Sequence, residues 1–121
     1  MTNAVFLLSL IRSEIFLPSE NKLLNKRLSD EMLITRVARG ETTALELLYD
    51  RYAATILGIC LKIIHDQAEA EGALQETFWQ IWQSASTYAA RGGSFEGWLF
   101  RIARNQAIDF YRRRLSKLDN K

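Results

Sequence analysis

Beyond Pro18 the chain contains no proline, and nowhere do apolar and polar residues alternate as a strand requires. Instead, apolar residues return every three or four positions in runs bracketed by capping residues and glycines. Such spacing gives each helix one stripe to bury. The chain therefore reads as all-α, a helical bundle of about four helices preceded by an N-terminal extension.

The punctuation sets the expected elements. Ser29 caps a first helix over Asp30 to Arg39, with Leu33, Ile34, Val37 and Ala38 inside and Gly40 as the stop. A capping box, Thr43-x-x-Glu46, opens a second helix running to about Ile64, along which Leu45, Leu48, Tyr52, Ile56, Ile59 and Ile63 recur. Asp66-x-x-Glu69 is another such box and opens a third helix reaching about Ala85. Ser86 to Gly93 reads as a loop, broken by Gly92-Gly93. Ser94 then caps a final helix whose last turn carries Arg112, Arg113 and Arg114, where cations suit the helix dipole. The chain divides into an extension, 1–28, a helical domain, 29–116, and a tail, 117–121. Internal repeats and low-complexity tracts are absent.

At 121 residues, 48% of them hydrophobic, the chain can bury one core without staples. Its single cysteine, Cys60, excludes an internal disulfide and fits a reducing compartment. Flanked by Ile59, Leu61 and Ile63, it reads as a small core residue. One cysteine and one histidine make no familiar zinc site, and His65 falls near a helix C-terminus. No nucleophile–base constellation and no Gly-rich phosphate loop is present. Nothing marks an enzyme, and no cofactor is expected. The apolar run Ala4 to Ile11 ends at Arg12 and Glu14, too short for a membrane span. It also lacks the basic start and small-residue cleavage site of a signal peptide. Residues 1–28 read as an appended segment, with short helices before Pro18 and around Leu23 and Leu24.

Charge is unevenly spread. From Arg91 onward eight basic residues face three acidic ones, a balance of +5, whereas residues 1–90 carry eight against eleven, a balance of −3. A basic end on a mildly acidic body suits a polyanion. On a wheel of 100° per residue, Leu99, Ile102, Ala103, Gln106, Ala107 and Phe110 gather with Phe95 on the core side of the last helix. The opposite side gathers Trp98, Arg101, Asn105, Asp109 and Arg112. Guanidinium groups meet phosphates, an indole stacks on bases and an amide reads a base edge. A plain solvated face, with a half-buried Trp98 and an Asp109–Arg112 pair, fits the pattern equally well. In the third helix Leu74, Phe78, Ile81, Trp82 and Ala85 form the core stripe, beside a face of Gly72, Gln75, Glu76, Trp79 and Gln83. A tryptophan among Gln and Glu, without Lys or Arg, suits a protein partner. Alternatively, Trp79 packs under the extension or the first helix.

The run Gln75-Glu76-Thr77-Phe78-x-x-Ile81-Trp82, with Phe95-x-x-Trp98-Leu99-Phe100-Arg101-Ile102-Ala103-Arg104-Asn105-x-Ala107-Ile108-Asp109-x-x-Arg112-Arg113, closely resembles region 2 of sigma-70 family transcription initiation factors. The nearest subgroup is the extracytoplasmic-function type. Ala44 to Tyr52 resembles the opening helix of that region, and the likeness extends over about residues 30–115. It implies a non-enzymatic domain of the bacterial cytoplasm that binds the clamp helices of core RNA polymerase and melts the promoter −10 element. On this likeness Gln75, Glu76, Trp79 and Gln83 lie on the polymerase-contact helix. Trp98, Arg101, Asn105, Asp109 and Arg112 lie in the melting and −10 recognition segment. The Ser86–Gly93 loop corresponds to the place that holds a base flipped from the non-template strand, with Tyr88 as a stacking ring. Arg101 and Arg104 would neutralise phosphates, and Arg112, Arg113 and Arg114 would hold upstream duplex.

Two features depart from the family pattern. Gly72 stands where an acidic residue usually begins the polymerase-contact motif, and a glycine inside a helix costs about 1 kcal/mol. The sequence ends soon after the arginine triplet, so a second helical domain of the kind that reads the −35 element is not expected within it, whether it is an excised piece, a truncated product or a minimal factor. Both favour a rival expectation, a regulatory module of the same fold that occupies polymerase or an anti-sigma protein without initiating. A helix-turn-helix repressor does not fit, since no tight three- to four-residue turn precedes a short recognition helix.

Overall fold

A computed structural model of the chain describes residues 28–91 and 93–119, apart from the side chain of Asp119. Four α-helices are found there: α1 (Asp30–Ala38), α2 (Thr42–Ile64), α3 (Gln67–Arg91) and α4 (Phe95–Asp119). Helices α2, α3 and α4 pack against one another, and α1 lies across α2 and α3. The all-α bundle expected from the periodicity is thus the fold. None of the described helices is long and apolar enough to cross a membrane. The helices expected before Pro18 and around Leu23 and Leu24 lie outside the described residues.

Local chemistry explains most boundaries. Ser29 Oγ accepts from the Met32 N–H at 3.2 Å, capping α1. Gly40, at φ +88°, reverses the chain toward α2 and donates to the Val37 carbonyl. Asp66 Oδ1 accepts from the Glu69 N–H at 2.9 Å, the expected cap of α3. The Thr43 box does not form. Helix α2 begins one residue earlier, at Thr42, after an extended Glu41 with no side-chain cap, and Glu46 is buried. Packing of Ala44, Leu45, Leu47 and Leu48 into the core carries this helix end in place of a cap.

The core draws Leu33, Ile34 and Val37 from α1, with Leu45, Leu48, Ile56, Cys60 and Ile64 from α2. Phe78, Ile81 and Ala85 of α3 meet Phe95, Leu99, Ala103 and Ala107 of α4. Along α2 the buried stripe drifts from the expected Ile59 and Ile63, which are half-buried, to Cys60 and Ile64, which are buried. The Thr77 hydroxyl, buried in α3, donates to the Ala73 carbonyl at 2.7 Å, so its burial leaves no donor unpaired.

Polar contacts fix α1 to α2. The Asp30 carboxylate accepts from both the Arg51 guanidinium and the Tyr52 hydroxyl, and Arg51 also donates to the Leu28 carbonyl at 2.9 Å. Their side chains keep 21% and 16% exposure for Arg51 and Asp30, so water screens this pair only in part. Asp30→Ala should therefore cost roughly 2 kcal/mol in denaturant unfolding, below the ~3–5 kcal/mol of breaking a fully buried pair. An unchanged midpoint would remove this cluster from the fold's support.

Burial pushes the Cys60 thiol from its ordinary value near 9 up to about 11. Tyr52 is raised as well, first by burial and then by its hydrogen bond to Asp30. The folded chain thus holds these protons more tightly than the unfolded one. These two groups leave stability unchanged below about pH 9 and lower it as pH rises through the window toward 11. Urea midpoints should decline over that window, with Cys60→Ala flattening the early part of the decline.

Candidate nucleic-acid interface

Helix α3 does not stop near Ala85. Ile81, Ala85 and Tyr88, at i, i+4 and i+7, continue its buried stripe, and the helix runs to Arg91. The expected Ser86–Gly93 loop contracts to a short reversal, with Gly93 at φ +101° and Ser94 Oγ accepting from the Gly97 N–H at 3.2 Å. Two serines and a threonine between residues 84 and 87 weaken helix propensity, but tertiary burial of Tyr88 outweighs them.

Tyr88 is consequently not an available ring. It is 5% exposed, lies stacked on Trp98 with centroids 4.7 Å apart, and meets the edge of Phe95 at 5.8 Å. Its hydroxyl donates to the Gly93 carbonyl at 2.6 Å, tying the reversal to α3. Burial holds the phenol above its ordinary value, with the Glu31 and Asp30 carboxylates adding to the shift.

Over this aromatic floor opens a cleft of about 160 Å³, lined by Thr87, Tyr88, Arg91, Gly93, Ser94, Trp98 and Arg101. Trp98 is half-buried, packed on the core through one side, and Arg91 and Arg101 are exposed. Two guanidinium groups, hydroxyls and an indole around a small open cleft can take an anionic group joined to a planar ring. The sequence pattern does not mark Arg91, Thr87 and Ser94 as site residues. Their signal is the three-residue spacing of Tyr88 and Arg91, which is meaningful only if α3 is already known to extend that far.

Down the outside of α4, Arg101, Arg104, Asn105, Asp109 and Arg112 are all exposed. A shallow depression joins Asn105, Gln106, Ile108, Asp109 and Arg112. Gln106, expected on the core side, is half-buried and donates to Gln80 Oε1 of α3 at 2.7 Å.

The arginine triplet is less uniform than expected. Helix α4 continues past it to Asp119, because no breaker intervenes, and Lys117 is the basic residue of the last turn. Arg113, not Arg112, pairs with Asp109, at 3.0 Å and the favourable i,i+4 spacing, and its guanidinium lies over the Phe110 ring at 4.4 Å. Arg114 meets Glu69 at 3.3 Å and donates to the Ile64 carbonyl at 3.4 Å, satisfying an open group at the end of α2. Arg112 makes no ion pair among the described residues.

On α3, Gln75, Glu76 and Trp79 are half-buried and Gln83 is exposed. Trp82, one turn along, packs against the core. Gln75 also borders a groove shared with Tyr49, Ala53, Ala54, Leu57, Glu71 and Leu74, between α2 and α3. Cover of Trp79 by the extension would involve residues outside the described ones. The residues expected to face a protein and those expected to face a polyanion thus lie on different helices, α3 and α4, which the Gln80–Gln106 hydrogen bond joins.

Residues 48–116 match the family model for sigma-70 region 2. The chain is 33% identical over 83 residues to the ECF RNA polymerase sigma factor SigK of Mycobacterium ulcerans, a stretch covering 67% of this chain and 44% of that relative. It is 39% identical over 79 residues to the RNA polymerase sigma-H factor of Pseudomonas aeruginosa, covering 64% and 40%. With the ECF RNA polymerase sigma factor SigL of Mycobacterium tuberculosis it shares 33% identity over 76 residues, covering 63% and 43%. The matched stretch thus spans less than half the length of these relatives. No solved structure gives a significant match. By the family match and these relatives together, the chain belongs to the sigma-70 family, as a region 2 of the extracytoplasmic-function type.

Proposed function

We propose that this domain docks on core RNA polymerase through α3 and holds the separated non-template strand of a promoter −10 element on α4. The observation that carries the reading is the cleft at the α3–α4 reversal, which Trp98 lines together with Arg91 and Arg101. From it, Arg101, Asn105 and Arg112 lead down α4 at the exposed surface. Separating strands requires no bond chemistry, only a surface that prefers unpaired to paired DNA. Unstacking a base costs a few kcal/mol, and stacking it on an aromatic ring returns roughly 1–3 kcal/mol. One captured base with a few phosphate contacts therefore balances a local opening. Arg104 adds charge beside the stripe, and Asn105 can read a base edge.

For docking, Gln75, Glu76 and Trp79 offer half-buried amide, carboxylate and indole groups on a face whose neighbour Gln83 is uncharged. Aromatic residues of this kind commonly dominate protein interfaces. The same fold could instead act as a regulatory module that occupies polymerase or an anti-sigma protein. Gly72, lacking the acidic side chain usual at its position, favours that second reading. Transcription in vitro from an extended −10 promoter with added core enzyme separates them: a transcript supports initiation, and polymerase binding without a transcript supports the regulatory role.

Pull-down with core enzyme should retain the wild type and lose at least about tenfold of the Gln75→Ala/Trp79→Ala double variant, consistent with removing about 1.4 kcal/mol or more. Equal retention would release α3 from this role. On single-stranded −10 oligonucleotides Trp98→Ala should weaken binding by roughly 1–3 kcal/mol irrespective of the stacked base. Asn105→Ala should instead narrow the difference between matched and mismatched oligonucleotides, as measured by fluorescence anisotropy. If both variants bind every oligonucleotide as the wild type does, the stripe is only a solvated face.

A further inference from the structure

Gly72 is partly buried on α3, and the space its side chain would fill is taken by another residue. A Cβ placed on Gly72 would come 2.9 Å from Cε1 and 3.2 Å from Cζ of Phe110 on α4. Carbon atoms do not approach that closely without one of them moving. The absence of a side chain at position 72 therefore has a structural use: it is the seat of the Phe110 ring. Phe110 is half-buried and packs against the core. On the ring's outer side lies the Arg113 guanidinium, at 4.4 Å, itself paired with Asp109. One residue further on, Arg114 reaches Glu69 and the Ile64 carbonyl. Two members of the triplet thus turn back onto the protein, while the side chain of Arg112 is exposed and makes no ion pair among the described residues.

We infer that Phe110, seated on Gly72, is a positioning residue that fixes the distal turns of α4 so that Arg112 is presented to the DNA backbone. Arg114 serves chiefly to hold that segment against α2 and α3, while Arg113 braces the Phe110 ring within α4. The inference rests on the reading of α4 as the DNA-binding helix and deepens it. Its chemistry is that of preorganisation. A long helix end secured at one aromatic contact and one ion pair loses less freedom when a phosphate is met than one that frays, so the anchored guanidinium binds more strongly. Gly72 then has a structural use beneath Phe110, instead of being merely a weak place in α3.

Two measurements test this on the intact chain. Binding of a −10 oligonucleotide is followed against salt, because each phosphate neutralised adds about one to the slope of log K against log salt. Arg112→Ala should lower that slope by about one. Phe110→Ala should lower it by about the same amount, and the double variant by no more. A Phe110→Ala slope equal to that of the wild type overturns the proposal, as does a double variant that loses both decrements. Thermal melts need no DNA. Gly72→Ala should raise the melting temperature in the Phe110→Ala background, where the improved helix propensity acts unopposed, and should raise it less, or lower it, with Phe110 in place. Equal shifts in the two backgrounds would abolish the seat itself. A wild type that binds no oligonucleotide at any salt refutes the assignment of α4 to DNA and the presentation of Arg112 with it, while the melts still judge the contact between Gly72 and Phe110.

Discussion

The reversal between α3 and α4 depends on Tyr88. Its ring fills the end of the core between Phe95 and Trp98, and its hydroxyl donates to the Gly93 carbonyl. Gly93 has a backbone conformation that side-chain-bearing residues seldom adopt, so the turn is specified from both sides, by a glycine and by a hydrogen bond. With the turn set, Trp98 leaves the core at a defined angle, Arg101 comes beside Arg91, and the outward side of α4 runs on from the cleft. A looser turn would leave the same residues on the same helix but would not bring the two arginines to one opening.

The core also separates two chemical environments. Helix α3 turns Gln75, Glu76 and Trp79 to one surface, and α4 turns its arginines to another. Between them stand Gln80 with Gln106, and Gly72 with Phe110. The hydrogen bond and the ring contact fix the register of the helices at two heights. A shift of α4 by one turn, about 5.4 Å, would lose both. These two contacts hold α3 and α4 in one register along their length.

Where an element's pattern is long, the sequence determines it well. The Ser29, Asp66 and Ser94 caps and the glycines at positions 40 and 93 are local features and appear in the fold, as does the apolar spacing of the helices apart from α2, whose stripe shifts from Ile59 and Ile63 to Cys60 and Ile64. Cys60 is a buried core residue, as its neighbours imply. The misplacements occur where distant packing decides. Ser86, Thr87 and the Gly92-Gly93 pair argue locally for a loop from residue 86, but the pocket that receives Tyr88 is built by Phe95 and Trp98, which come after the turn. Thr43 and Glu46 have the spacing of a cap, yet burial of Glu46 and its neighbours starts the helix earlier. In the triplet, three identical side chains in succession have three different surroundings, set by Glu69, Ile64 and Phe110 on or near other turns. No one-dimensional pattern contains that difference.

The stacked state of Tyr88 and Trp98 also constrains how a base could be held. Inserting it between the two rings would break an aromatic pair worth roughly 0.5–1.5 kcal/mol and would strain the hydroxyl contact to Gly93, so that much of the 1–3 kcal/mol available from base stacking would be lost. A base that rests against the remaining surface of Trp98, or lodges in the cleft beside Arg91 and Arg101, keeps both terms. The proposed capture of a strand is therefore cheapest without rearrangement of the floor. On that proposal Tyr88 would act from beneath, by holding Trp98 still, and would contribute the freedom that the indole has already lost in the unbound domain.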